Sequence, residues 1–549
     1  MTQQGDAHFP GLAADVIDDY LAADPVAATS LGDHRHDHRL PEPGAAARAV
    51  EAAGWRARLA QLDALDVAEL ELGEQVDHAI LRNRIAARLF SLDELTEYRW
   101  NPLVANPGTA IHLLLARDFA PLPERLRAVG GRLAAIPASL ASARADAEDL
   151  PEVHVSTAVG QFTGTRTLLA TELERALRRA EAVRSEVEPA LEAATAALDE
   201  HIAWLTERQD DAVGDPRLGP ELYARKLRLT LDTADTPDAV LAAAEAQLEL
   251  VSEQIAEAAS RIAGAPSHPG QVREVLDALA ADAPDDDSIV ALAEQTLTET
   301  TKFVAAHDLV TIHDDPVEIV VMPEIHRGVA VAYCDPPGPL ETASLPTFYA
   351  ISPTPADWSP DRVASFFREY NVHMVRNLTI HEAMPGHVLQ LAHDRRQRTS
   401  TRVRSTFWSG VFVEGWAVYA EELMTRHGFG GDAVRMQQLK MQLRMTINAI
   451  LDVRVHTRGM TREEAMHLMV ERGHQEEGEA VGKWRRALLT STQLSTYFVG
   501  YLAVRDTVGD LAAVRPGASI RELHDAVLAH GSPPPRHLRR LLGVASASR

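Results

Sequence analysis

The chain carries His381-Glu382-Ala383-Met384-Pro385-Gly386-His387 and, one short helix further on, Glu414-Gly415-Trp416-Ala417-Val418-Tyr419-Ala420-Glu421. Two imidazoles, one carboxylate and an open position for water are what a catalytic zinc ion asks of a protein, and a spare glutamate beside them can serve as base. In the usual short zinc motif the histidines stand four apart, on one face of a helix. Here they stand six apart, which advances an ideal helix by about 600° and leaves the second side chain ~120° off the face of the first. A straight helix therefore cannot bring His381 and His387 to one ion. Pro385 removes the amide that would bond to the carbonyl of His381, and Gly386 tolerates backbone angles closed to other residues. The pair can bulge the helix and swing His387 back over His381. It can also simply end one helix, with His387 opening the next.

With zinc (Zn2+, one ion per chain) in place, the roles follow from chemistry. His381 and His387 offer neutral imidazole nitrogens and Glu414 a carboxylate oxygen. Glu382 adjoins the first histidine but projects to another side, so it can hold the attacking water and take its proton. Glu421, seven residues after Glu414 and on the same helical face, can hydrogen-bond the free nitrogen of a ligand histidine. Glu422 is expected to face solvent, and Trp416 and Tyr419 to pack. Hydrolysis also needs a donor for the oxyanion; Tyr497 is the candidate. Arg505, eight residues on, can grip a substrate carboxylate in bidentate fashion. Tyr349 is a further candidate for substrate contact.

These residues need a scaffold. From the start to about residue 310 the sequence predicts helix after helix. Leu191, Ala194, Leu198, Ile202 and Leu205 recur at intervals of three and four, which makes one buried stripe. Thr236-Pro237 opens another helix, continued by Ala244, Leu248, Val251, Ile255 and Ile262 and stopped at Gly264. Between about 316 and 352 the pattern changes. Val317 to Val321, Val329 to Tyr333 and Thr347 to Ile351 are β-branched or aromatic runs separated by proline-rich turns. They predict a small sheet beside the metal-site helix, whose edge could pair with an extended peptide or simply cap a helical lobe. Helices resume at Ser359-Pro360. The expected organisation is a helical lobe over 1–310 and a catalytic lobe over 311–549, as parts of one body.

Composition sets outer bounds. With 54 Lys and Arg against 79 Asp and Glu, the formal charge is -25, which excludes the basic footprint that nucleic acids and anionic membranes require. No apolar run approaches the ~18–20 residues that cross a bilayer. The first residues, Met1 to Ala7, have neither the basic start nor the apolar core of a secretory signal. Cys334 is the single cysteine, so no internal disulfide forms and a cytoplasmic location is expected. Cys334 itself reads as a packing thiol, and Asp33-His34-Arg35-His36-Asp37-His38 as a surface loop.

HEAMPGHVLQ followed by FVEGWAVYAEEL resembles the signature of the bacterial domain-of-unknown-function family 885. YLAADPVAATSLGDHRHDHRL near the start, and QLSTYFVGYLAVRD and HGSPPPRHLRRLL near the end, are similar to that family's opening and closing segments. The resemblance implies a mainly helical, zincin-like metallopeptidase architecture with a deep cleft. It places His381, His387 and Glu414 at the metal positions, Glu382 at the base and Tyr497 at a family tyrosine. Ser491 stands where the family has proline, and Ala487 where it has an aromatic residue.

The expected function is a zinc-dependent hydrolase of peptide or peptide-like amide bonds, acting on short substrates. Two alternatives stay open. One is a metal-dependent amide hydrolase or lyase on a small metabolite. The other is a degenerate zincin that has lost catalysis and serves as a binding protein.

Overall fold

The computed structural model describes residues 9–322, 331–355 and 358–544. It is mainly helical with one small sheet. The chain divides into two compact units, one of Met1–Pro216, Pro337–Leu345 and Thr399–Phe407, the other of Arg217–Pro336, Pro346–Arg398 and Trp408–Arg549. The division near 216 departs from the expected one near 310. Its cause is packing: Tyr223, Leu227, Leu248, Val251 and Val304 share one core with Trp416, Leu443 and Phe498, so the helices just before the sheet belong with the metal-motif helices.

In the first unit, helices α1 (Leu122–Asp146) and α2 (Arg184–Glu207) pack together. The stripe predicted for α2 faces that contact, with Ala194, Leu198 and Leu205 fully buried beside Leu126, Leu133 and Leu140 of α1. In the second unit, α3 (Pro237–Ala263) begins where Thr236 accepts a bond from the Ala239 amide and ends at Gly264, φ 62°. Only glycine takes that left-handed angle without cost. The buried face of α3 runs through Ala244, Leu248, Val251 and Ile255, whereas Ile262 is exposed.

The sheet has three strands, β1 (Val317–Val321), β2 (Ala332–Asp335) and β3 (Thr347–Ile351). β3 is central, parallel to β1 and antiparallel to β2. The second strand therefore starts later than the predicted run, of which Val329 and Ala330 lie outside the described residues. Next come α4 (Pro360–Glu369), capped by Ser359, and α5 (Val372–Glu382), capped by Asn371. The remaining helices that shape the site are α6 (His387–Asp394), α7 (Gly410–Arg426), α8 (Gly431–Arg458), α9 (Glu477–Leu489) and α10 (Leu494–Val514). The sheet lies beside α5: the Tyr349 hydroxyl is 3.0 Å from Thr379 Oγ1. Among the described residues no helix is long and apolar enough to cross a membrane.

Candidate metal centre

The Pro-Gly step does not bulge one helix; it separates two. α5 stops at Glu382 and α6 starts at His387. Between them the Ala383 and Met384 amides bond back to the Thr379 carbonyl at 3.0 and 3.2 Å, and the Gly386 amide to the Ile380 carbonyl at 2.9 Å. The Met384–Pro385 peptide is cis. A Cβ on residue 386 would lie 1.9 Å from the His381 carbonyl oxygen, so only glycine fits. Trp416, fully buried on α7, donates its indole N–H to the Pro385 carbonyl at 2.9 Å and ties the turn to that helix. The reversal sets the two imidazole rings with centroids 4.8 Å apart and planes at 86°.

Glu414 on α7 completes a trio. One donor atom from each of His381, His387 and Glu414 lies within 4.8 Å of the others. Glu414 Oε2 stands 3.4 Å from His381 Nε2 and 3.6 Å from His387 Nε2. The edge of a tetrahedron of ligands at ~2.0–2.1 Å from zinc is about 3.4 Å. Glu414 Oε2 is buried and has no hydrogen-bond partner, which is costly for a carboxylate unless a ligand answers it. The donor set and its unpaired oxygen fit a zinc-type cation. Around it, His381 Nδ1 lies 2.7 Å from Glu421 Oε1, and Asn377 donates to the other Glu421 oxygen at 2.6 Å. That chain fixes the ring so that Nε2 turns to Glu414.

The electrostatics agree. Burial works against a charged His381, but the carboxylates of Glu414 and Glu421 outweigh it and raise its pKa well above the ordinary value. Burial likewise opposes ionisation of Glu414, yet the two imidazoles hold its carboxyl far below the usual carboxylate range. The atoms between them favour positive charge.

Glu382 Oε2 accepts a bond from the Cys334 amide of β2 at 3.1 Å. The Ser352 amide bonds to the Val331 carbonyl, and bonded pairs alternate along an antiparallel ladder. Cys334, opposite Tyr349, is thus a position whose amide turns away from β3. The candidate base and the outer edge of the sheet meet there.

The close crossing of α7 and α10 brings Tyr497 under the electrostatic influence of Glu414. A Cβ on Gly415 would lie 2.3 Å from the Gly500 carbonyl carbon, and one on Gly500 would lie 2.1 Å from the Val411 oxygen. Burial first, and then the charge of Glu414, push the Tyr497 phenol up to about 12, with Arg486 opposing. At neutral pH it stays protonated and is a hydrogen-bond donor.

Three expectations are corrected. Tyr349 is fully buried, and its hydroxyl lies against Thr379, so it anchors the sheet to α5 and has no exposed surface to offer a substrate. Arg505 is paired with Asp506 at 3.0 Å and lies over the Tyr501 ring; none of its contacts among the described residues reaches the trio. Glu422 is buried, not solvent-facing, and accepts from the Tyr501 hydroxyl at 2.6 Å, because α10 covers that side of α7. Tyr419 packs as expected, with its hydroxyl 2.9 Å from His524 Nε2. The His34 loop is an internal clasp: Nδ1 and Nε2 each lie 2.9 Å from a carboxylate, of Asp37 and Glu341. Ser491 meets the Lys226 ammonium at 2.8 Å. Asn377 went unnoticed in the sequence, although its position one turn before His381 was a usable signal.

Comparison with known proteins places the chain. Residues 25–542 match the family described as bacterial protein of unknown function, DUF885. The chain belongs to that family. Among solved structures, this DUF885 chain is similar to a lipoprotein candidate of unknown function from Shewanella oneidensis, with TM-score 0.83 and 28% identity over 98% of this chain and 100% of that one. It is also similar to a lipoprotein candidate from Colwellia psychrerythraea, with TM-score 0.82 and 15% identity over 97% and 98% of the two chains. An M32 carboxypeptidase from Deinococcus radiodurans overlays at TM-score 0.36 and 11% identity over 90% of this chain and 95% of that one, too loosely to bear on fold or function. No curated protein matches the chain.

Proposed function

We propose that this DUF885 chain is a metal-dependent hydrolase, with zinc the preferred ion, that cleaves peptide or peptide-like amide bonds. The observation that carries the reading is the convergence of His381, His387 and the unpaired Glu414 Oε2, with Glu382 next to the first histidine. A divalent ion held by these three residues would polarise the scissile carbonyl and acidify a water. Glu382 takes the proton of that water as it attacks and passes it to the leaving amine. Tyr497 donates a hydrogen bond to the oxyanion that develops. Glu421, itself held by Asn377, keeps His381 in one tautomer and orientation. β2 is an edge strand among the described residues, and its outer edge faces Glu382 at Cys334; an extended peptide can add there. This feature favours a peptide over a compact metabolite.

The test is metal content by elemental analysis together with peptide-library hydrolysis, for wild type, His387→Ala and Glu382→Gln. Metal lost in the first variant, and turnover lost with metal kept in the second, is the expected pattern. Full turnover by Glu382→Gln would remove the mechanism, and no metal in wild type after zinc is supplied would remove the reading. Compartment belongs to the same proposal. The lone Cys334 fits a reducing cytoplasm, the two matched structures are described as lipoprotein candidates, and fractionation of the native host decides.

A further inference from the structure

α9 carries Lys483 and Arg486 three residues apart, so both side chains leave one helical face. Lys483 is buried, 9% exposed, and among the described residues its ammonium has no hydrogen-bond or ion-pair partner within bonding distance. The charged groups around it are Arg444, Arg486 and Glu479. Glu479 is already taken by Arg444 at 2.5 Å, and the neighbouring Glu369 by Lys440 at 2.8 Å. Burial, then the charges of Arg444 and Arg486, hold the lysine well below its ordinary pKa, against the opposing charge of Glu479.

Arg486 is half-buried and forms no ion pair among the described residues. It donates to the neutral Gln493 Oε1 at 2.9 Å, and its charge acts on the Tyr497 phenol, which in turn feels Glu414. Arg486 therefore sits against Gln493 at the start of α10, with Lys483 one turn before it on α9, and its charge and that of Glu414 both act on the Tyr497 phenol. A fold keeps such charges unanswered at a cost, and it does so where a ligand supplies the answer.

We propose that Lys483 and Arg486 form the subsite that binds a carboxylate of the substrate, next to the bond that is cut. The planar guanidinium can take the carboxylate in bidentate fashion and the ammonium adds a point charge. This is the role the sequence suggested for Arg505, which Asp506 already occupies. The inference rests on the peptide-hydrolase reading and narrows it to substrates with a carboxylate near the scissile amide. That carboxylate is a C-terminus or an acidic side chain.

The test is binding to the full-length Glu382→Gln protein, which removes turnover, measured by calorimetry. Three probes are used: an N-acetyl dipeptide ending in alanine, its C-terminal amide, and the matching amide ending in glutamate. The free acid should bind at least about tenfold more tightly than its amide, as charge-assisted bonds predict. Adding Arg486→Gln or Lys483→Met should close that gap, while Arg486→Lys should restore part of it. Tight binding of the glutamate amide would identify an acidic side chain as the source; tight binding of the free acid alone would identify the C-terminus. Equal affinity for acid and amide, no binding of any probe, or a preference that survives in both variants would overturn the subsite. Arg486, being half-buried, gives a readable variant that does not depend on Lys483→Met. The two readings fail separately. Hydrolysis with no acid preference removes the subsite and leaves the hydrolase, whereas acid preference with no hydrolysis of any peptide does the reverse.

Discussion

Asp77 in the first unit and Glu414 in the second both hold carboxylate oxygen out of water, and the protein answers them differently. Asp77 is fully buried and accepts from Arg404 Nε at 2.8 Å and from Thr401 Oγ1 at 2.5 Å. Every partner it needs is supplied by the chain. Among the described residues Glu414 Oε2 has two imidazoles near it, at 3.4 and 3.6 Å, and no hydrogen bond. A similar contrast separates Lys440, which donates to Glu369 at 2.8 Å, from Lys483, which among the described residues meets no carboxylate within bonding distance. Buried charge that is closed on itself belongs to the architecture. In the proposed function, the open charges of the metal-motif region receive something from outside.

Breaking a closed pair and emptying an open one should give opposite signatures. Arg404→Met strands Asp77 and should cost about 3–5 kcal/mol in urea unfolding, with metal content unchanged. His387→Ala should abolish metal binding, read by elemental analysis, while the metal-free protein unfolds close to where metal-free wild type does. Similar unfolding losses in both would erase the distinction. Within the open region, Tyr497→Phe should lower kcat by about 10²–10³ on a peptide substrate with metal retained; an unchanged kcat would leave the oxyanion without its donor. Glu421→Gln should weaken zinc binding by about 10–100-fold in a competition titration, because His381 loses its orienting partner.

The smallest effect carries a sign. The folded pKa of Lys483 lies below the ordinary value, so between the two the unfolded chain binds one more proton. The stability linked to this group is complete above the unfolded pKa and is lost as pH falls through the folded one. At pH 7 the lysine is therefore a liability, and Lys483→Met should stabilise the fold by on the order of 1 kcal/mol. That gain should shrink as pH approaches the ordinary lysine value of about 10.4. A loss of stability at pH 7 would show that the ammonium is closed after all.

The sequence made the helical character, the position of the sheet and the grouping of His381, His387 and Glu414 legible, because each leaves a local trace in periodicity, β-branching or motif. The seven-residue step from Glu414 to Glu421 likewise fits the 2.7 Å contact with His381. What stayed hidden depends on which helix lies over which. Glu422 reads as solvent-facing and Tyr349 as a substrate contact; α10 covers the first and α5 the second. Arg505 lies two turns beyond Tyr497 but about 80° off its helical phase, and its own neighbour Asp506 consumes it. Lys483 and Arg486 have no motif at all, since an unpaired charge is defined by the carboxylates that fail to arrive. The division near 216 was invisible for a related reason: the helices on either side of it look alike, and only their packing partners differ.

The crossing of α7 and α10 has a consequence for mutational tolerance. Gly415 and Gly500 touch neither substrate nor metal in the proposed mechanism, yet a single methyl group at either would work as a wedge, forcing apart backbones that approach to 2.1–2.3 Å of where that methyl would stand. The donor tyrosine rides on one helix and the ligand carboxylate on the other. Their spacing is thus set by matter that is missing, and a saturation screen scored for function should find these two silent positions as unforgiving as the histidines.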